Sequence, residues 1–313
     1  MDIRIRALEE RDLDEADRVV RLAFGTLLGL PDPMRMFGDV SMVRTRWHAN
    51  PQGALAAEAD GRFAGSNFIA NWGRFGFFGP LSVLPELWDK GVARHLLDAT
   101  VEVFSRWNTR IAGLFTFSDS AKHIALYQKF GFWPRCLTVV STRPIANQRR
   151  EIAFERFSVL SAADKPAAIA ECREVTGAIG DGLDLRIEIE SVDRQKLGDT
   201  ILLRNGAAVC GFAVCHAGAG TEAGSDTCYV KFGAVAPGTN APANFERLLD
   251  ACESYASSVS VSNLKIGVNT ARLEAYRAIL ARGVRFEIIG VAMLRDGDDG
   301  YNRPGVFVID DWR

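Results

Sequence analysis

Residues 77–84, FFGPLSVL, form an almost unbroken apolar run that stops at Pro85, which has no N–H to extend a ladder. The run predicts a buried strand. Leu87, Val92, Leu96, Leu97, Val101 and Val103 then recur near the helical period, predicting a helix with one face for a sheet. Upstream, residues 3–8 alternate as a first strand, and Asp12 can cap a helix through about residue 28 whose stripe is Ala16, Val19, Val20 and Ala23. Gly29-Leu30-Pro31-Asp32-Pro33 breaks that helix, residues 41–48 read as a second short one, and residues 54–58 and 63–71 form a hairpin about Asp60-Gly61. Downstream come an apolar strand at 111–117, a helix-start cluster Ser118-Asp119-Ser120, a helix at 121–130 closed by Gly131, and a strand at 132–142.

Residues 143–150, with Pro144 and the polar run Asn147-Gln148-Arg149-Arg150, read as a linker. After it the order restarts: a strand at 157–160, a helix at 163–177, a mixed stretch to Gly198, a hairpin of 201–203 and 207–215, a strand at 229–235, and a helix around 245–251. A strand at 264–269, a helix at 271–282 closed by Gly283, and strands at 286–294 and 306–310 complete it. At a displacement of 152 residues, Val83, Pro85, Leu96, Leu97, Asp98 and Ala99 meet Val235, Pro237, Leu248, Leu249, Asp250 and Ala251 without a gap. This is the mark of a duplicated domain. The expected architecture is α/β (α+β): two tandem mixed β-sheet domains flanked by helices, at 1–145 and 152–313.

Composition narrows the classes. The 313 residues are 48% hydrophobic and 24% charged, enough for a substantial core. Lys plus Arg (37) against Asp plus Glu (39) gives no argument for nucleic acid or an anionic membrane. No apolar run approaches ~20 residues, and the N-terminus lacks a signal-peptide core, so a cytoplasmic location is expected. The six cysteines include no C-x-x-C pair and read as buried, reduced hydrophobes. Cys210, Cys215 and His216 have no known ligand spacing, so no metal is expected.

The chemistry lies between the strand at 77–84 and its helix. In Asp89-Lys90-Gly91-Val92-Ala93-Arg94 two cations flank a glycine at a helix start, where successive N–H groups and the helix macrodipole can face one anion. The segment lacks the GK[ST] of a P-loop and the glycines of a dinucleotide fingerprint. It resembles motif A of the GNAT superfamily of acyl-CoA-dependent N-acyltransferases, Gln or Arg, two residues, Gly, one residue, Gly or Ala. Trp88 departs from the first position. Leu126-Tyr127-Gln128-Lys129-Phe130-Gly131-Phe132 is similar to the family's motif B, with Tyr four residues before Gly-Phe.

The resemblance implies transfer of an acetyl group from acetyl-CoA to a primary amine, by direct attack on the thioester without a covalent enzyme intermediate. By matching position, Leu81, Ser82 and Val83 hold the pantetheine arm and acetyl oxygen, and the N–H groups from Asp89 to Arg94 hold the pyrophosphate. Tyr127 protonates the leaving thiolate, and Ser120 stands where the family often has an Asn that bonds the coenzyme. Each has a plain alternative: a helix cap for Asp89 and Ser120, a core aromatic for Tyr127. No carboxylate on the neighbouring strands offers a general base; Glu58, Asp119, His48 and His123 remain candidates. Trp72, Phe75, Phe77 and Phe78 could line an apolar acceptor pocket or the core. The acceptor, expected to be a small molecule, is not legible, nor is the oligomeric state. The alternative function is an inert protein that binds and senses acyl-CoA.

Two further expectations concern the repeat. The family's sheet has two strands after motif B and the first half supplies one, so the halves should share sheet edges or exchange strands, residues 305–313 included. In the second half Ala243 falls opposite Gly91 and Phe245 opposite Ala93, Pro242 removes an N–H, and no cation precedes Arg247. One coenzyme per chain, in the first half, is expected.

Overall fold

The computed structural model describes residues 1–145, 152–295 and 299–313; most of the expected linker therefore lies outside the described residues. The first half runs β1 (Ile3–Ala7), α1 (Leu13–Leu27), α2 (Met42–Ala49), β2 (Ala54–Ala59), β3 (Arg62–Trp72), β4 (Phe75–Phe78), β5 (Ser82–Val83), α3 (Val92–Arg106), β6 (Ile111–Phe117), α4 (Ala121–Gln128) and β7 (Phe132–Pro144). The second runs β8 (Glu155–Arg156), α5 (Lys165–Ile179), α6 (Arg186–Gln195), β9 (Gly198–Asn205), β10 (Ala208–Gly218), β11 (Gly224–Val235), α7 (Ala241–Ser258), β12 (Asn263–Asn269), α8 (Leu273–Ala281), β13 (Arg285–Arg295) and β14 (Val308–Ile309). The mixed stretch before Gly198 holds helix α6, whose polar composition hid its buried face of Ile189 and Val192.

The helices form where the periodicity places them. In α1 the stripe Leu13, Ala16, Val19, Val20 and Ala23 is buried, and α3 buries Val92, Leu96, Leu97, Val103 and Phe104 against the sheet. Asp12 precedes α1 but does not cap it with its side chain. Its carboxylate instead takes the Arg6 guanidinium and the Glu9 N–H, an ion pair and a donor that outbid the helix end. The β2–β3 hairpin turns at Asp60 (φ 49°) and Gly61 (φ 77°), both left-handed, as a two-residue turn matching strand twist requires.

All strands belong to one open, mixed, 14-stranded sheet in the order β1-β2-β3-β4-β6-β13-β7-β12-β11-β10-β9-β8, with β5 paired to β3 and β14 to β11. The halves are interlocked at its centre. Strand β13 of the second half lies between β6 and β7 of the first, and β7 in turn pairs with β12. The sharing expected from the strand count thus takes the form of exchange. Residues 305–313 exchange no strand, since β14 stays with β11, but they do join the halves: the Trp312 ring lies over Gly113 and Arg46 holds the Arg313 carbonyl.

The internal order repeats in register as well as in kind. Phe75, Gly76, Phe77 and Phe78 of β4 pair in parallel with Ile111 to Leu114 of β6, and Thr227 to Val230 of β11 pair with Asn263 to Ile266 of β12, each pair displaced by the same 152 residues. A core between the halves joins Trp72, Phe75 and Phe77 to Phe212 and Phe232, with the Trp72 and Phe232 rings 5.3 Å apart. No helix among the described residues is long and apolar enough to cross a membrane.

Candidate active site

The apolar run at 77–84 is two strands rather than one. After Phe78 the chain breaks at Gly79 and a cis Pro80, then resumes as β5. Strand β3 pairs with both pieces, and Gly65 permits the second, since a Cβ there would meet Ser82 O at 2.3 Å. On the other side β4 pairs with β6 only as far as Leu114, and Phe115–Phe117 continue alone beside β13. The strands therefore splay. Leu84 N–H donates to Ala64 O, so by antiparallel alternation Val83 turns its N–H and C=O away from β3 and into the opening. The Trp88 indole N–H takes that carbonyl at 2.8 Å, which leaves the Val83 N–H as the free donor. This gives Trp88 a structural role at the position where it departs from motif A.

The opening leads into a cavity of about 1430 Å³ that reaches the start of α3. There Asp89 (φ 62°) and Gly91 (φ 90°) both adopt the left-handed conformation, and Gly91 is the residue before the helix. The N–H groups of Gly91, Val92 and Ala93 make no hydrogen bond to a described residue, as the first turn of a helix leaves them. A Cβ on Gly91 would meet nothing within 4 Å, so the approach to these donors is open. Arg94 lines the same end of the cavity; Lys90 does not. The helix-cap reading of Asp89 is incorrect: its exposed carboxylate pairs with Lys122 of α4 at 2.8 Å, and that ammonium also lies 5.9 Å from the Trp88 ring centroid.

Tyr127 on α4 lines the cavity from below. Its ring packs on Phe78, centroids 5.7 Å apart, and its hydroxyl makes no hydrogen bond to a described residue. Burial pushes its pKa up, so the phenol holds its proton at any working pH. Ser120 gives no cap bond to α4 either; its hydroxyl meets His123 Nδ1 at 2.7 Å, and the His123 ring stacks toward Tyr127. Burial, with Lys122 nearby, lowers the His123 pKa and favours the neutral imidazole. Of the base candidates, Asp119 and His123 line the cavity. Glu58 pairs with Arg6 at 2.7 Å near the sheet edge, and His48 is not among the lining residues. Of the four aromatics, Phe78 alone reaches the cavity; Trp72, Phe75 and Phe77 are core.

Residues 26–132 match the Acetyltransferase (GNAT) family, a span that includes both motifs. The match covers this stretch and not the whole chain. No curated protein matches the chain. Among solved structures it is similar to a putative acetyltransferase from Pyrococcus horikoshii, with 15% identity, 99% of this chain and 95% of that one covered, and a TM-score of 0.71. A GCN5-related N-acetyltransferase from Sphaerobacter thermophilus gives 14% identity, 95% and 97% coverage and a TM-score of 0.58. One from Anabaena variabilis gives 11%, 94% and 72%, and 0.54. At these identities the likeness is one of fold, and with the first two it extends over nearly the whole of both chains.

The corresponding place in the second half is filled. Ile309 and Val308 of β14 pair with Gly233 and Ala234 of β11, and the Val235 N–H, counterpart of Val83, donates to Phe307 O at 3.3 Å. Phe245, opposite Ala93, is fully buried against Phe307 with rings 5.3 Å apart. Opposite Tyr127 stands Ile279, buried in the core. The splay survives here, and the chain's own residues 307–309 occupy it.

Five lining residues come from the second half and had no motif to announce them: Glu287, Ile288 and Ile289 on the exchanged strand β13, and Trp312 and Arg313 just beyond β14. The only sequence signal was the missing strand.

Proposed function

We propose that the chain is an acyltransferase of two tandem GNAT-like domains, 1–145 and 152–313, that moves an acetyl group from acetyl-CoA to an amine and holds one coenzyme in its first half. The observation that carries this reading is the conjunction of a splayed strand, free N–H groups at a helix start and a protonated tyrosine on one cavity. Leu81, Ser82 and Val83 would run beside the pantetheine arm, with the Val83 N–H placed to receive the developing oxyanion, a role worth about 3 kcal/mol where such donors have been removed. The N–H groups of Asp89 and Gly91 to Ala93, with Arg94, would take the pyrophosphate, and Lys90 would add only long-range charge. Ser120 fixes His123 on the coenzyme side, and Tyr127 delivers its proton to the departing thiolate.

The thioester needs no activation by the protein, so positioning supplies most of the rate. The test is thermal. Saturating acetyl-CoA should raise the melting temperature, by the equivalent of about 2.7 kcal/mol at a hundred times Kd. Gly91→Glu, which sets an anion and a disfavoured φ at the phosphate seat, should abolish the rise. An undiminished rise in that variant would remove the assignment.

A further inference from the structure

The second half's own segment 307–313 does two things at once. Its first part lies in the unused splay, while Trp312 and Arg313 wall the first half's cavity. The anchoring is dense. Arg272, 1% exposed, donates to Val308 O at 2.7 Å and to Asp310 at 2.6 Å; Tyr229 OH donates to Asp311 at 2.9 Å, and the Trp312 indole N–H to Tyr301 OH at 3.0 Å. Arg46 of α2 holds the carbonyls of both Gly79 and Arg313, joining the segment to the point where β4 breaks.

Beside it β13 carries a bulge between Phe286 and Ile288, and the extra residue is Glu287. Its carboxylate pairs with Lys265 at 3.0 Å, and the residue is among those that line the cavity. Burial would raise its pKa, but the neighbouring Thr142 hydroxyl, Lys265 and, at longer range, Arg313 outweigh that and lower it. The lining also includes the apolar residues Phe37, Met42, Phe115, Ile288 and Trp312, with Arg313 the charged residue next to Trp312.

We propose that the second half forms the acceptor site of the first: Glu287 is the counter-ion of the acceptor's ammonium group, and Trp312, held in place by the segment lodged in the unused splay, packs on an apolar body, so that the acceptor is a primary amine on an aryl or branched alkyl group. This rests on the acetyl-transfer reading above. The experiment is calorimetric titration of the coenzyme A-loaded protein with phenethylamine, its uncharged isostere 2-phenylethanol, and ethanolamine. Phenethylamine should bind well ahead of both. Glu287→Gln should weaken it of order tenfold, Glu287→Asp should keep most of the affinity, and neither should alter coenzyme affinity or the binding of 2-phenylethanol. Equal phenethylamine affinity in wild type and Glu287→Gln, no phenethylamine binding at all, or a preference for ethanolamine would each overturn the proposal. Loss of coenzyme binding by the wild-type protein would be a different result, removing the acetyl-transfer reading and this inference with it.

Discussion

Replacing Arg272 by Met should unlatch the segment that fills the second splay. The guanidinium is almost wholly buried and makes three kinds of contact: Nη1 with Val308 O, Nη2 with Asp310 Oδ1, and Nε with Asn302 Oδ1 at 3.1 Å. It also lies 5.3 Å from the Tyr301 ring centroid. Met matches the stem but satisfies none of these acceptors, and Asp310, 1% exposed, keeps only the Tyr301 hydroxyl at 2.7 Å. Breaking a buried pair from one side costs about 3–5 kcal/mol, because a charge is left without a partner. Asp310 can soften the loss by taking a proton, since burial already raises its pKa despite Arg272. Adding Asp310→Asn should then recover part of the loss, so the double variant should be less destabilised than the two single losses summed. Urea denaturation at neutral pH reads all three variants. A loss below about 1 kcal/mol for Arg272→Met would refute the claim that this pair anchors the segment.

Other consequences are separable. Tyr127→Phe should lower kcat of order 10²-fold with coenzyme affinity unchanged, as removal of a proton donor acts in the transition state; wild-type turnover would make Tyr127 a core aromatic and no more. The same experiment separates an enzyme from an inert acyl-CoA sensor, for which no amine would turn over. His216, fully enclosed, is pushed down to about 4 by burial and by Lys231. An unfolded chain takes up a proton near pH 6.5 that the folded one refuses, so this contribution is complete above pH 6.5 and is lost as the pH falls toward 4, about 3 kcal/mol in full. His216→Gln should flatten the stability profile between pH 6.5 and 4.5; an unchanged slope would assign the acid sensitivity to other groups.

Much of the fold was legible because its signals are local. Apolar spacing located α1, α3 and α7, turn residues located the β2–β3 hairpin, and the gapless alignment of Val83 with Val235 extends to paired registers in β4–β6 and β11–β12. What failed was of two kinds. Polar side chains at helix starts were read as caps, yet Asp12, Asp89 and Ser120 each found a stronger partner elsewhere in the fold: Arg6, Lys122 and His123. Lys122 stands 33 residues from Asp89 and leaves no trace in a local window, whereas Arg6 and His123 are six and three residues from Asp12 and Ser120, and helix-start rules do not rank such neighbours against the helix end. The break at Gly79-Pro80 hid inside an apolar run for the related reason that both pieces face the same core.

The part of the cavity wall that comes from the second half shows this most clearly. That a strand was wanting after motif B could be counted, but which strand would supply it depended on pairing across 150 residues of chain. Glu287 entered the cavity only through that exchange and its bulge. Trp312 entered through β14, which counted as an ordinary last strand until its partner was seen to be the splayed end of β11.

On the proposed reading, one half keeps the coenzyme site and the other has filled its own. Isothermal titration of the full chain with acetyl-CoA tests it most directly. One equivalent per chain is expected, reduced to none by Gly91→Glu and left at one by Phe245→Leu in the second half. Two equivalents, or one that survives Gly91→Glu, would contradict it.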